Sequence, residues 1–148
     1  MEVRVGSSRI SIRDLEMNVD LSRALRIDHH DLMRELETQA GEYVRWALLY
    51  EEEEARLRQE ERNLRTLEAE LTRKIRLNMM NRGETPTEYV VTAEIRCNDL
   101  WREQSKKVLE CQRRACALEA IRGAWWQRKA MLEALAQNQR MEYFSAPK

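Results

Sequence analysis

From Leu36 onward a large apolar or aromatic side chain returns at every seventh residue: Leu36, Tyr43, Tyr50, Leu57, Leu64 and Leu71. A return of seven places side chains on one face of an α-helix after two turns, and no other regular backbone gives that alignment. No proline interrupts the run. Residues 31–81 therefore read as one long helix that starts at Asp28–Asp31, where carboxylates can accept from open backbone N–H groups. The companion positions four residues on are Ala40, Ala47, Glu54, Glu61, Glu68 and Ile75. They pass from apolar to acidic and back, which leaves the seam narrow in the middle. About fifty residues rising ~1.5 Å each span ~75 Å. One chain does not bury both sides of such a rod, so partner surfaces are expected.

A second pattern follows the first. Thr85-Pro86-Thr87-Glu88 predicts a short helix over 86–97, with Thr85 as cap, Pro86 in the first turn and Glu88 completing a capping box. Asn98-Asp99 marks a bend. A second long helix over 99–143 then carries Cys111, Leu118, Trp125 and Leu132 at sevens, supported by Trp101, Val108, Ala115, Ile121 and Leu135. Gly123, beside Trp125 and Trp126, suits close helix packing. Residues 1–27 form an arm of different character. Val3, Val5, Ile10 and Ile12 alternate with polar residues around Gly6-Ser7-Ser8, a pattern that reads as extended or disordered within a mobile first ten residues, and Asp14–Met17 begins a short helix. The domain map is thus an arm at 1–27, a helical hairpin at 28–144 and a frayed tail at 145–148. The fold class is all-α: a long antiparallel helical hairpin with short helices at the N-terminus and after the hairpin loop, assembling as a homo-oligomeric ring or coiled-coil bundle.

Composition agrees with long helices, since charged residues make up 35% and aromatics only 6%. Net charge is zero but segregated: residues 28–71 carry a net of −7 and residues 102–148 a net of +5. Antiparallel pairing would join these opposite signs, and a polyanion would favour the second helix or the tip between the two. The acidic run Glu51–Glu54 reads as a solvated helix face. Cys97, Cys111 and Cys116 form no CxxC pair and read as buried, reduced thiols of a cytosolic protein. No segment approaches a membrane span, no signal peptide is evident, and no membrane association is expected. His29 and His30 diverge by ~100° on a helix and share no metal. No phosphate loop, nucleophile elbow or secluded acid/base pair occurs, so neither enzymatic activity nor a cofactor is expected.

The chemistry worth following is cationic. Arg73, Lys74 and Arg76 lie within one turn at the end of the first long helix, and Arg82 follows in the loop. Repeated around an oligomer, such tips would form a collar of cations for a phosphate backbone. Met79, Met80 and Tyr89 lie nearby, placed either to stack on bases or to pack. Lys106, Arg113 and Arg114 on the second helix form a further basic side, which either lines a groove or pairs with acids of the first helix.

Taken in order, Asp14-Leu15-Glu16, Ile27-Asp28, Leu32, Tyr43-x-Arg45-Trp46, Lys74-x-Arg76-Leu77, Arg82-Gly83, Ala93-x-Ile95-x-x-x-Asp99-x-Trp101, Leu118-Glu119-Ala120-Ile121 and the Arg122–Arg128 stretch resemble the UvsY family of phage recombination mediators over roughly residues 12–143. The chain departs from a strongly basic DNA binder in its Glu51–Glu54 run and its neutrality, so cation density in the oligomer must carry affinity. The resemblance implies DNA recombination and repair. It implies a ring-like homo-oligomer, a hexamer or heptamer, that binds single-stranded DNA in the host cytoplasm. It further implies contact with a RecA-like recombinase and a single-strand DNA-binding protein, and help for the recombinase in displacing that protein. Lys74 and Arg76 fall on the family's DNA-binding pair, with Arg73, Arg82, Lys106 and Arg113 as extensions of the same surface. The family's C-terminal helix oligomerises, which assigns that role here to Leu118, Ile121, Trp125, Leu132 and Leu135. The alternative is a non-enzymatic helical structural, scaffold or assembly protein of a phage.

Overall fold

The computed structural model describes residues 2–5, 8–11 and 19–145. Four helices dominate it: α1 (Leu21–Ala24), α2 (Leu32–Asn81), α3 (Glu88–Cys97) and α4 (Asp99–Ser145). Three short strands precede them, β1 (Glu2–Val5), β2 (Ser8–Ser11) and β3 (Val19–Asp20), in the order β2-β1-β3. β1 and β2 are antiparallel with Val3 opposite Ile10, and β1 and β3 are parallel with Val3 opposite Val19. The start of the arm is therefore paired strand, the extended alternative expected from the two-residue alternation of its apolar residues. The short helix expected from Asp14–Met17 lies outside the described residues, as do residues 146–148 of the tail.

The helix ends follow their capping chemistry. Asp31 opens α2 by accepting from the Arg34 N–H at 3.3 Å, while its carbonyl accepts from Glu35. Asn98 ends α3 and begins α4, its Oδ1 accepting from the N–H groups of Leu100 (3.0 Å) and Trp101 (3.3 Å). Thr87, not the expected Thr85, caps α3, with its hydroxyl oxygen facing the Val90 N–H. Pro86 thus lies before the cap, where its fixed φ sets the approach of the chain, and Glu88 occupies the first turn.

The chain divides into two compact units, Met1–Glu51 with Cys116–Lys148, and Glu52–Ala115. In the first, α2 and α4 run antiparallel and α1 contributes Leu21 to their shared core. Leu21, Trp46, Leu118, Ile121 and Trp125 form its core, with Ala24, Leu25, Tyr43, Leu49 and Tyr50 packed around it. Leu132 is fully enclosed further along α4. The Cys111–Leu118–Trp125–Leu132 row is buried at every position, as expected from its spacing.

The companion row of α2 is another matter. In the first part of α2 the buried positions are Leu32, Gln39, Trp46 and Glu53, the last three standing three residues after Leu36, Tyr43 and Tyr50 and not four. Ala40 is exposed and Ala47 only half-buried, whereas Trp46 is 1% exposed. An indole of this size outweighs an alanine in apolar area removed from water by roughly 2 kcal/mol, which sets the rotation of the helix. Each polar member of the row has a partner. Gln39 Nε2 donates to the Trp125 carbonyl at 2.6 Å, and its Oε1 accepts from Arg128 at 2.8 Å.

The second unit has polar contacts of its own between α2 and α4. Arg114 Nε donates to Glu53 at 2.7 Å, Gln104 Nε2 to Glu60 at 2.6 Å, and Trp101 Nε1 to Glu68 at 2.8 Å. Burial alone would lower the Arg114 pKa, but the hydrogen bond and charge of Glu53 hold it above its ordinary value. Leu71, Val91, Cys111 and Ala115 supply the buried apolar positions. Of the three cysteines only Cys111 is buried, and burial raises its thiol pKa; Cys97 and Cys116 are exposed. Gly123 is also exposed, with open space where a Cβ would stand, so it serves no close packing within the chain.

The acidic run is not a plain solvated face. Glu51 pairs with Arg122 in the first unit, while in the second Glu52 pairs with Arg56 and Glu53 with Arg114. The opposite charges of the two long helices therefore neutralise one another within each unit, as segregation along the chain implied.

Candidate nucleic-acid interface

The expected DNA-binding residues all belong to the second unit, and its geometry divides them. Helix α2 ends in a tight left-handed turn. The Gly83 N–H donates to the Met80 carbonyl and the Glu84 N–H to the Met79 carbonyl, both at 3.0 Å, and Gly83 has φ +74°. These two bonds define a Schellman cap, and the positive φ is why glycine stands there. Arg73 and Lys74 are exposed on the last turns before the cap, and Arg82 is exposed within it. None of the three has an ion-pair partner among the described residues.

Arg76 differs. It is half-buried and its guanidinium is paired with Glu88 at the start of α3, while its Nε is buried without a partner. This contact ties the first turn of α3 to the last turns of α2. It also withdraws Arg76 from the set of freely available cations. Arg73 and Lys74 are neighbours on the helix but point ~100° apart, so the expected cluster is a rim and not a single patch.

Lys106 and Arg113 are seven residues apart and exposed on the face of α4 opposite Val108 and Ala115. They are remote from the tip: Gln104 bonds to Glu60, fourteen residues before Lys74, a separation of ~20 Å along the helix. Arg114 leaves this group altogether, because its guanidinium turns inward to Glu53 and to the Cys111 sulfur at 3.0 Å. Of the two roles open to these basic residues, Arg114 has taken the ion pair.

The residues assigned to oligomerisation lie in the first unit. Leu118, Ile121, Trp125 and Leu132 are buried there and Leu135 is half-buried. Leu21 of α1 and Trp46 of α2 share a core with three of them, so Leu118, Ile121 and Trp125 are already covered within one chain. Apolar groups exposed in that unit include Val44, Leu48 and Trp126, the last stacked at a tilt on Tyr43 with Lys129 over its ring.

The tip also carries exposed apolar side chains that heptad counting passes over: Leu77, Met80 and Tyr89. Leu77 and Met80 stand on the side of α2 away from the buried Leu71, a placement legible from their spacing to it. Residues 71–97 hold five bases and three acids, including the exposed Glu84 and the Arg76-bound Glu88. Among the described residues no helix is long and apolar enough to cross a membrane. Neither a family model, a curated protein nor a solved structure matches the chain.

Proposed function

We propose that this chain is a recombination mediator that binds single-stranded DNA as a homo-oligomer and helps a RecA-like recombinase displace a single-strand DNA-binding protein, in the cytoplasm of a phage-infected cell. The observation that carries the reading is the contrast between cations. Arg114, Arg122 and Arg128 pair with Glu53, Glu51 and Glu35, whereas Arg73, Lys74 and Arg82 stand exposed around the α2 cap with no ion-pair partner among the described residues. Exposed cations gathered around one helix cap suit a phosphate backbone. One tip binds weakly, and several tips joined in one assembly raise the effective concentration for each further contact. The resemblance in residue pattern points the same way, with Lys74 as the direct contact and Arg76 as the residue that seats α3.

The exposed Val44, Leu48 and Trp126 favour a second reading, a non-enzymatic scaffold or assembly protein of a phage, because such residues suit subunit contacts. Fluorescence polarisation with a labelled mixed-sequence oligonucleotide across a salt series separates the two. A mediator binds single strands with a steep salt slope in a multimeric state. Changing Arg73, Lys74 and Arg82 together to Ala should leave the multimer intact and flatten the slope by about 0.7 for each phosphate no longer neutralised. A multimer with no affinity for DNA at low salt would establish the scaffold reading instead.

A further inference from the structure

We propose that Tyr89 is a base-stacking platform that makes the tip selective for single strands, an inference that rests on the DNA-binding reading above. Tyr89 is 85% exposed, although an aromatic ring of its size gains by burial. It is the second residue of α3, directly after Glu88, and the Glu88–Arg76 pair anchors that turn beside the last turns of α2. On α2, Arg73, Arg76, Leu77 and Met80 share one stripe at spacings of three, four and seven. The tip therefore carries an exposed ring on the first turn of α3 and, on α2, an exposed thioether and leucine in one stripe with Arg73, which has no ion-pair partner among the described residues; Arg82 lies in the turn between the two helices.

Cations bordering exposed aromatic and apolar groups match a single strand in both of its parts. The phosphates meet guanidinium groups, and an unstacked base finds a flat apolar surface. A duplex offers the same phosphates but hides the faces of its bases, so it can use only the charges. A protein groove-filling helix, the other occupant an apolar stripe could take, would leave Arg73, Lys74 and Arg82 without counter-charges. Arg76 then acts as a positioning residue, holding α3 so that the ring stands beside the cations.

The test uses the full chain and three labelled probes of equal length: a mixed-sequence single strand, the matching duplex and an abasic strand with the same phosphates. The expected result is that Tyr89→Ala weakens binding to the base-containing strand about tenfold, the scale of one base–aromatic stack. Binding to duplex and to the abasic strand should not change, and neither should the salt slope, because every phosphate keeps its cation. Tyr89→Phe should retain wild-type affinity, since stacking needs the ring and not the hydroxyl. Equal losses on all three probes, or no loss on any while the wild type binds normally, would overturn the stacking role and leave the DNA-binding reading standing. Failure of the wild-type chain to bind any probe at low salt would overturn both, and would do so before a variant is made.

Discussion

Replacing Arg128 by Met is expected to lower stability by about 3–5 kcal/mol, the usual loss when one member of a buried, hydrogen-bonded charge network is removed. The Arg128 side chain is 5% exposed and donates in four directions. It bonds to the carbonyls of Leu25 and Arg26, both at 3.2 Å, to Gln39 Oε1 at 2.8 Å and to the Glu35 carboxylate. Its guanidinium also stacks over Trp125, 5.1 Å from the ring centre. One side chain thus ties the end of α1 to both long helices of its unit. Methionine fills much of the volume but satisfies none of the four acceptors, so the loss reports the network and not a cavity. For a chain of this length the change should lower the melting temperature on the order of 10 °C, read by circular dichroism. A fall of only a degree or two would mean that water replaces the guanidinium at little cost.

The same network sets a pH dependence. Burial tends to raise the Glu35 pKa, but the Asp28 N–H at 3.0 Å and the Arg128 guanidinium outweigh it and hold the carboxyl below its ordinary value. A depressed folded pKa contributes stability that is fully present above the unfolded value and is lost as pH falls through the folded one. Wild-type stability should therefore begin to decline below about pH 4, the ordinary glutamate range. Part of that decline belongs to Arg128, so denaturant melts of the Met variant should show a shallower acid limb. Equal acid limbs in the two proteins would place the depression on the Asp28 bond alone.

These contacts explain which features the residues announce and which they conceal. Helix ends are legible because capping is local: Asp31 and Asn98 each satisfy N–H groups within three residues of themselves. The α4 row is legible because Leu118, Trp125 and Leu132 are large, apolar and seven apart. The companion row of α2 is hidden because Gln39 and Glu53 look like surface residues. Their partners lie 86 residues away at Trp125 and 61 away at Arg114, distances that no local pattern reports. Two consequences for function follow from the same cause. Leu118, Ile121 and Trp125 read as an uncovered seam because nothing local shows that Leu21 joins their core. Arg76 reads as a free cation because its partner, Glu88, lies across the turn. Arg73, Lys74 and Arg82 are legible as a candidate site for the opposite reason: a basic cluster at a helix end, close in sequence, is a local feature, and the three are exposed.

Changing Glu53 to Leu should cost about 3 kcal/mol, while changing Glu53 to Leu and Arg114 to Met together should restore most or all of the loss. Glu53 and Arg114 form a pair whose side chains are 4% and 15% exposed. The single change leaves a guanidinium facing Leu and the weakly accepting Cys111 sulfur, with the charge of Glu110 but no hydrogen-bonded carboxylate to offset its desolvation. The double change removes both charges and their desolvation cost, and hydrophobic replacements of similar volume are often neutral or better. Denaturant midpoints of the two single variants, the double variant and the wild type close a double-mutant cycle, and its coupling term isolates the pair. A double variant as unstable as Glu53→Leu alone would show that the ion pair itself stabilises the unit. Recovery would instead locate its value in register. Glu53 with Arg114, Glu60 with Gln104 and Glu68 with Trp101 are three polar matches along one antiparallel helix pair, and a shift of α4 by one heptad breaks all of them at once. Apolar residues at sevens tolerate such a shift far better, because each seam position resembles the next. The tip is where an error of register would matter most for function, since Arg73, Lys74 and Tyr89 flank the turn whose place on the two helices the register determines.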